Sequence, residues 1–136
     1  MINLAKNMIK NDEGLELKVY RCPANKLSIG YGRNLEDRGI TEEEADYLLS
    51  NDIRSIRKEL FDSKINFEKL NNARQSVLIN MAYQMGINGL FKFKKMFSAL
   101  SNQDYSLASL EMLDSKWAKQ TPARAERLSS LMLKGF

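Results

Sequence analysis

Apolar residues recur along this chain at two periods, and the change between them divides it. Leu4, Ala5, Met8 and Ile9 repeat at helical spacing and predict a short amphipathic helix from about Ile2 to Asp12. Gly14 interrupts. The stretch Leu17 to Gly32 then reads as extended chain: Val19-Tyr20 and Leu27-Ser28-Ile29-Gly30-Tyr31 are β-like, with Pro23-Ala24-Asn25-Lys26 as the turn between them. From Thr41 onward the helical period returns. Thr41 with Glu44 predicts a capping box, after which Ala45, Leu48, Leu49, Ile53, Ile56 and Leu60 trace one face. A second long helix carries Val77, Leu78, Met81, Ala82 and Met85 and stops at Gly86. Phe91, Phe93, Phe97 and Leu100 predict a further short helix, and Leu107, Leu110, Leu113 and Trp117 another. The last starts at Thr121-Pro122 and runs through Ala125, Leu128 and Leu131. No internal repeat or low-complexity linker separates these segments.

The expected architecture is therefore α+β, with an N-terminal helix and a small hairpin lobe (about 13–40) packed on a helical lobe (about 41–136, together with the N-terminal helix). The whole chain, 1–136, is expected to be one catalytic domain, with the ligand cleft between the lobes.

Composition narrows the chemistry. The 136 residues hold one Cys and no His, which excludes an internal disulfide, a Cys/His zinc site and any mechanism with a histidine base. Proton transfers must fall to carboxylates, hydroxyls or the lone thiol. The net charge of +4 comes from interspersed Lys and Arg with no run of five cations, so a nucleic-acid binder is a distant reading. The first ten residues lack the apolar core of a leader peptide, and no stretch approaches the ~20 apolar residues of a membrane span. The expectation is a soluble chain made in the cytosol, bound to no metal or cofactor and not integral to a membrane.

The candidate acid is Glu13, at the predicted end of the first helix. The negative end of a helix dipole and partial burial both favour a neutral carboxyl, the form a general acid needs. On that feature alone a solvated helix-end glutamate is the commoner reading. Spacing sharpens it: eight residues separate Glu13 from Cys22 and five separate Cys22 from Ser28.

This spacing, with Asp12-Glu13-Gly14-Leu15-Glu16-Leu17-Lys18-Val19-Tyr20 before it and Ser28-Ile29-Gly30-Tyr31-Gly32 after it, resembles the phage-type lysozymes, the family of the T-even bacteriophage lysozyme and many endolysins. Two more segments resemble that family in the same order: Asn80-Met81-Ala82-Tyr83-Gln84-Met85-Gly86, and Trp117 through Arg127 with its Gln120-Thr121-Pro122. The segment between Gly32 and Thr41 is short, as in the compact endolysins.

The resemblance implies hydrolysis of the β-1,4 bond between N-acetylmuramic acid and N-acetylglucosamine in peptidoglycan, and so bacterial lysis. It implies Glu13 as the acid that protonates the leaving oxygen, with Cys22 and Ser28 serving the opposite face of the sugar. Cys22 stands where aspartate is commoner and Ser28 where threonine is. The roles of nucleophile, base and water-positioner all stay open for Cys22. Arg124 is implied to pair with Glu13, where a guanidinium favours the charged carboxyl, and Arg127 with Asp12. Arg33 is expected to face Asp52. Tyr83 and Gln84 are expected to line the sugar cleft, with Asn34 and Leu35 at its mouth and Trp117 in the core. A lytic transglycosylase and an inactive peptidoglycan-binding homologue are the competing readings. The resemblance further implies a monomer that stays in the host cytoplasm until a holin releases it to the periplasm and wall.

Overall fold

A computed structural model describes all 136 residues. Its elements are α1 (Ile2–Glu13), β1 (Glu16–Arg21), β2 (Leu27–Gly30), β3 (Arg33–Asn34), α2 (Glu42–Asp62), α3 (Asn72–Met85), α4 (Ile87–Phe91), α5 (Lys94–Ser101), α6 (Tyr105–Leu113), α7 (Lys116–Gln120) and α8 (Pro122–Lys134), with a single 3₁₀ turn at Phe67–Lys69. This is the expected α+β class: one small antiparallel sheet, ordered β1-β2-β3, and otherwise helices. The chain forms two compact units, Met1–Leu48 and Leu49–Phe136, and their boundary falls inside α2.

In the first unit the hairpin gains a third strand that the hydrophobic pattern does not announce. β3 is only Arg33–Asn34, too short to show any alternation, and it pairs with Ile29 and Ser28 of β2. β1 pairs with β2 through Tyr20 opposite Ser28 and Arg21 opposite Leu27, with an irregularity before Tyr20. The predicted capping box forms as expected. Glu44 N–H donates to Thr41 Oγ1 at 3.1 Å, and Thr41 N–H donates to Glu44 Oε1 at 2.9 Å. Arg33 donates to the same carboxylate at 3.0 Å and doubly to the Gly39 carbonyl at 3.1 and 3.0 Å, which joins β3 to the start of α2. The Thr41 bonds and the Arg33 guanidinium hold Glu44 below the usual carboxylate range.

In the second unit the buried core gathers Leu60, Phe67, Val77, Leu78, Met81, Leu90, Met96, Ala108, Met112, Ala125 and Met132, among others. The expected face of α3 is buried, and its ends carry the Asn71 cap and Gly86. Of the α2 stripe only Leu60 is fully buried, with Ile56 packed on the core. The phenylalanine-rich stretch makes two short helices, α4 and α5, where one was expected. The next stretch also splits, into α6 and α7, because Ser115 caps a new helix through the Ala118 amide at 3.1 Å.

The face of α6 is a correction as well. Leu107, Leu110 and Leu113 are exposed, while Ala108, Ser109 and Met112 are buried. Ala108 and Ser109 are small side chains on the face that packs on α8, and the Ser109 hydroxyl donates to the Ser129 carbonyl at 3.0 Å. Volume, rather than hydrophobicity, selects the face. Arg74 ties α3 to the other end of α8. It donates to the Met132 and Leu133 carbonyls at 2.7 and 3.0 Å, satisfying groups that a helix C-terminus leaves open, while its guanidinium stacks 3.5 Å from the Tyr105 ring. The α6 assignment gives a direct test. Met112→Ala should cost about 2–4 kcal/mol in urea unfolding, and Leu110→Ala less than about 1 kcal/mol. The reverse order would show that the leucine stripe is the buried one.

Candidate active site

Glu13 is the last residue of α1, and Gly14 follows it as the helix ends. Its carboxyl lies over Gly32 in the turn between β2 and β3. The approach is so close that a Cβ built on Gly32 would stand 2.6 Å from Glu13 Oε2 and 2.9 Å from its Cδ. One turn earlier on α1, the Lys10 ammonium sits 5.3 Å from the centre of the Tyr31 ring. Two neighbouring hairpin residues thus meet the last turn of α1.

Cys22 and Ser28 come together on the same unit, at the other end of the β1–β2 hairpin. The Cys22 amide donates to the Lys26 carbonyl at 2.9 Å and the Asn25 amide to the Cys22 carbonyl at 2.7 Å, closing the turn. The Lys26 amide facing the sulfur holds the Cys22 thiol below its ordinary pKa. Partial burial opposes this, and the Ala24 amide, the Ser28 hydroxyl and the thiol's own backbone amide add to the lowering. Ser28 is almost fully buried, and its hydroxyl donates to the Lys26 carbonyl at 3.2 Å. That single proton can serve either the carbonyl or the sulfur, so it is available to a thiolate when one forms.

Asn34 and Leu35 follow from β3. Asn34 is held by Asp37, donating to its carboxylate at 2.9 Å and accepting from its amide at 3.0 Å. The Leu35 amide donates to the Leu27 carbonyl at 2.8 Å. Asp12 lies one residue before Glu13 and is exposed. Arg33, expected to face Asp52, instead places its guanidinium on Glu44 and Gly39.

On the second unit, Tyr83 and Arg124 line one hollow of about 330 Å³ with Leu49, Ile53, Ile79 and Asn80. Arg124 donates through Nε and Nη2 to Asn80 Oδ1 at 2.9 and 2.7 Å. No signal in the sequence singles out this partner, since α3 carries several polar side chains besides Asn80. Gln84 takes the indole proton of Trp117 at 2.8 Å, and Trp117 is buried as expected. Arg127 lines a separate hollow on α8 with Glu126 and Lys134. A further hollow of about 500 Å³ is lined by Phe93, Met96 and Trp117, with Lys92, Lys94, Lys95 and Lys116 and the acidic Glu111 and Asp114 among its other lining residues. None of those four lysines has an ion-pair partner. No group of side chains in the chain has metal-ligating geometry, and no helix is long and apolar enough to cross a membrane.

A carboxyl against a hairpin turn, with a thiol and a buried hydroxyl on the same hairpin, can supply the proton donor and the second group that acid–base hydrolysis uses. Comparison with known proteins gives the family. A profile of the phage lysozyme family matches residues 10–133. The chain is 27% identical over 164 aligned positions to the probable T4-type lysozyme 1 of Dictyostelium discoideum, covering 99% of this chain and 96% of that one. It is 32% identical over 116 positions to the endolysin of Acyrthosiphon pisum secondary endosymbiont phage 1, covering 82% and 75%. It is also 31% identical over 156 positions to the pre-baseplate central spike protein Gp5 of Enterobacteria phage T4, where the match takes in 94% of this chain but spans only 27% of that longer protein. The chain belongs to the phage lysozyme family, and at the level of that family it is a peptidoglycan-cleaving lysozyme.

The Cys22 environment has a measurable consequence. Alkylation by iodoacetamide, followed by mass against pH, should show a midpoint below the ~8.5 of an ordinary thiol. Ser28→Ala should move that midpoint up. A native midpoint at the ordinary value, or one indifferent to Ser28, would contradict the contacts described.

Proposed function

We propose that the chain is a muramidase of the endolysin type, which hydrolyses the β-1,4 bond between N-acetylmuramic acid and N-acetylglucosamine and so lyses the bacterial wall. The observation that carries this is the seating of the Glu13 carboxyl on the hairpin turn that leads from Ser28. In the proposed mechanism Glu13 protonates the glycosidic oxygen as the bond breaks, and positive charge develops on the sugar. The Cys22–Ser28 pair serves the opposite face, where a thiolate supported by N–H groups and one hydroxyl would either hold and activate a water or bond to the sugar. Splitting the work between an acid and a second group is the general logic of glycoside hydrolysis.

Tyr83, Gln84, Asn34 and Leu35 are proposed as sugar contacts, and Arg124, Asp12 and Arg127 as the charges that tune the site, all on the family resemblance. The placement of Cys22 and Ser28 on one hairpin favours hydrolysis over a lytic transglycosylase, which needs no group to handle water. We further propose one catalytic domain over 1–136, acting as a monomer without cofactor or nucleic acid. It would be held in the host cytoplasm until a holin gives it access to the wall.

Glu13→Gln removes the proton that acid catalysis needs, a contribution of about 10²–10⁴-fold. Release of reducing ends from purified walls should fall by at least that factor while Tm is kept, and mass spectrometry of the native digest should show no 1,6-anhydro ends. Near-native turnover by Glu13→Gln would remove the assignment of the acid, and abundant anhydro ends would replace hydrolysis with transglycosylation.

A further inference from the structure

Gly30 and Gly32 flank Tyr31 in the turn between β2 and β3, and both have positive φ, +71° and +70°. Any L side chain is strained in this region, so strain alone accounts for glycine at either position. Their surroundings differ. A Cβ on Gly30 would meet nothing within 4 Å, whereas one on Gly32 would run into the carboxyl end of Glu13, 2.6 Å from Oε2, 2.9 Å from Cδ and 3.4 Å from Cγ. The geometry points to Gly32 as a positioning residue for the acid: by carrying no side chain it leaves open the seat in which the Glu13 carboxyl lies, and so sets where the proton donor stands.

The inference rests on the muramidase reading for its catalytic consequence, but the seat itself is a matter of geometry. The atoms that a methyl group would strike are the far end of a flexible side chain. The fold can therefore accept alanine at position 32 by turning the carboxyl aside. Proton transfer is less tolerant. A general acid has to stand within hydrogen-bond reach of the oxygen it protonates, and a displacement of about 1 Å can cost ~10²-fold in rate. Contacts that bind the sugar chain elsewhere are unaffected, so the loss belongs in kcat and not in KM. Gly30 supplies the control. Gly30→Ala also places a side chain at positive φ, with no atom of Glu13 in the way.

The test compares Gly32→Ala with Gly30→Ala in the full chain by Tm, by steady-state kinetics on a soluble peptidoglycan oligosaccharide, and by the ¹³C chemical shift of the Glu13 side-chain carboxyl at fixed pH. The expected result is a fall in Tm for both variants, since each puts a side chain at positive φ. Gly32→Ala alone should lose about 10²-fold in kcat with KM unchanged, and it alone should move the Glu13 carbon signal. Equal kcat losses in the two variants, or a Glu13 signal that Gly32→Ala leaves in place, would overturn the proposal. A native protein with no turnover on walls would sink the muramidase reading instead, and the carbon signal would still decide the role of Gly32.

Discussion

The carboxyl group of Glu13 occupies the volume that any side chain at position 32 would need, and the arrangement of the first unit follows from that approach. It requires α1 to end at Glu13, since another helical turn would carry the chain past the hairpin. It also requires the β2–β3 turn to run through residues that can hold a left-handed backbone, and Gly30 and Gly32 both do. The Lys10 ammonium over Tyr31 adds a second contact between the same two segments. The carboxyl proposed as the acid thus stands between a helix end on one side and a turn on the other.

A sheet with strands of six, four and two residues is too small to be stable by itself. It is tied down by polar bonds at its far edge. Arg33 reaches the Gly39 carbonyl and the Glu44 carboxylate, and Glu44 in turn closes the cap of α2 with Thr41. A charge-assisted bond of this kind contributes more than a neutral one. The second unit follows a different principle, a dry core of aliphatic and methionine side chains closed at one end by Arg74 on the carbonyls of α8. A buried hydroxyl joins two of its helices there, Ser109 of α6 donating to the Ser129 carbonyl of α8.

Much of this was legible in the residues. The helical period of α3, the Thr41–Glu44 box and the turn at Pro23–Lys26 are local signals, and local signals survive folding. The family resemblance pointed to the separated motifs that the phage lysozyme profile then covered. What could not be read depended on partners distant in the chain or on volume. β3 has two residues and no pattern. The α6 face was misread because three leucines outweigh an alanine and a serine on any hydrophobicity scale, although only the latter pair fits against α8. The bond from Arg124 to Asn80 spans 44 residues. The bond from the Trp117 indole to the Gln84 oxygen spans 33 residues and is equally silent in the sequence. The seat at Gly32 left only a glycine in the sequence, and glycine is silent about which atom lies nearest.

The account stands or falls on whether Glu13 faces the bond that breaks. A crystal structure of the Glu13→Gln variant with a peptidoglycan tetrasaccharide bound tests that directly, because the variant should bind without cutting. The side chain at position 13 should lie about 2.6–3.2 Å from a glycosidic oxygen between the two sugar types, with Cys22 and Ser28 on the other face of the ring. A tetrasaccharide bound elsewhere, or with every glycosidic oxygen out of hydrogen-bond reach of residue 13, would contradict the account.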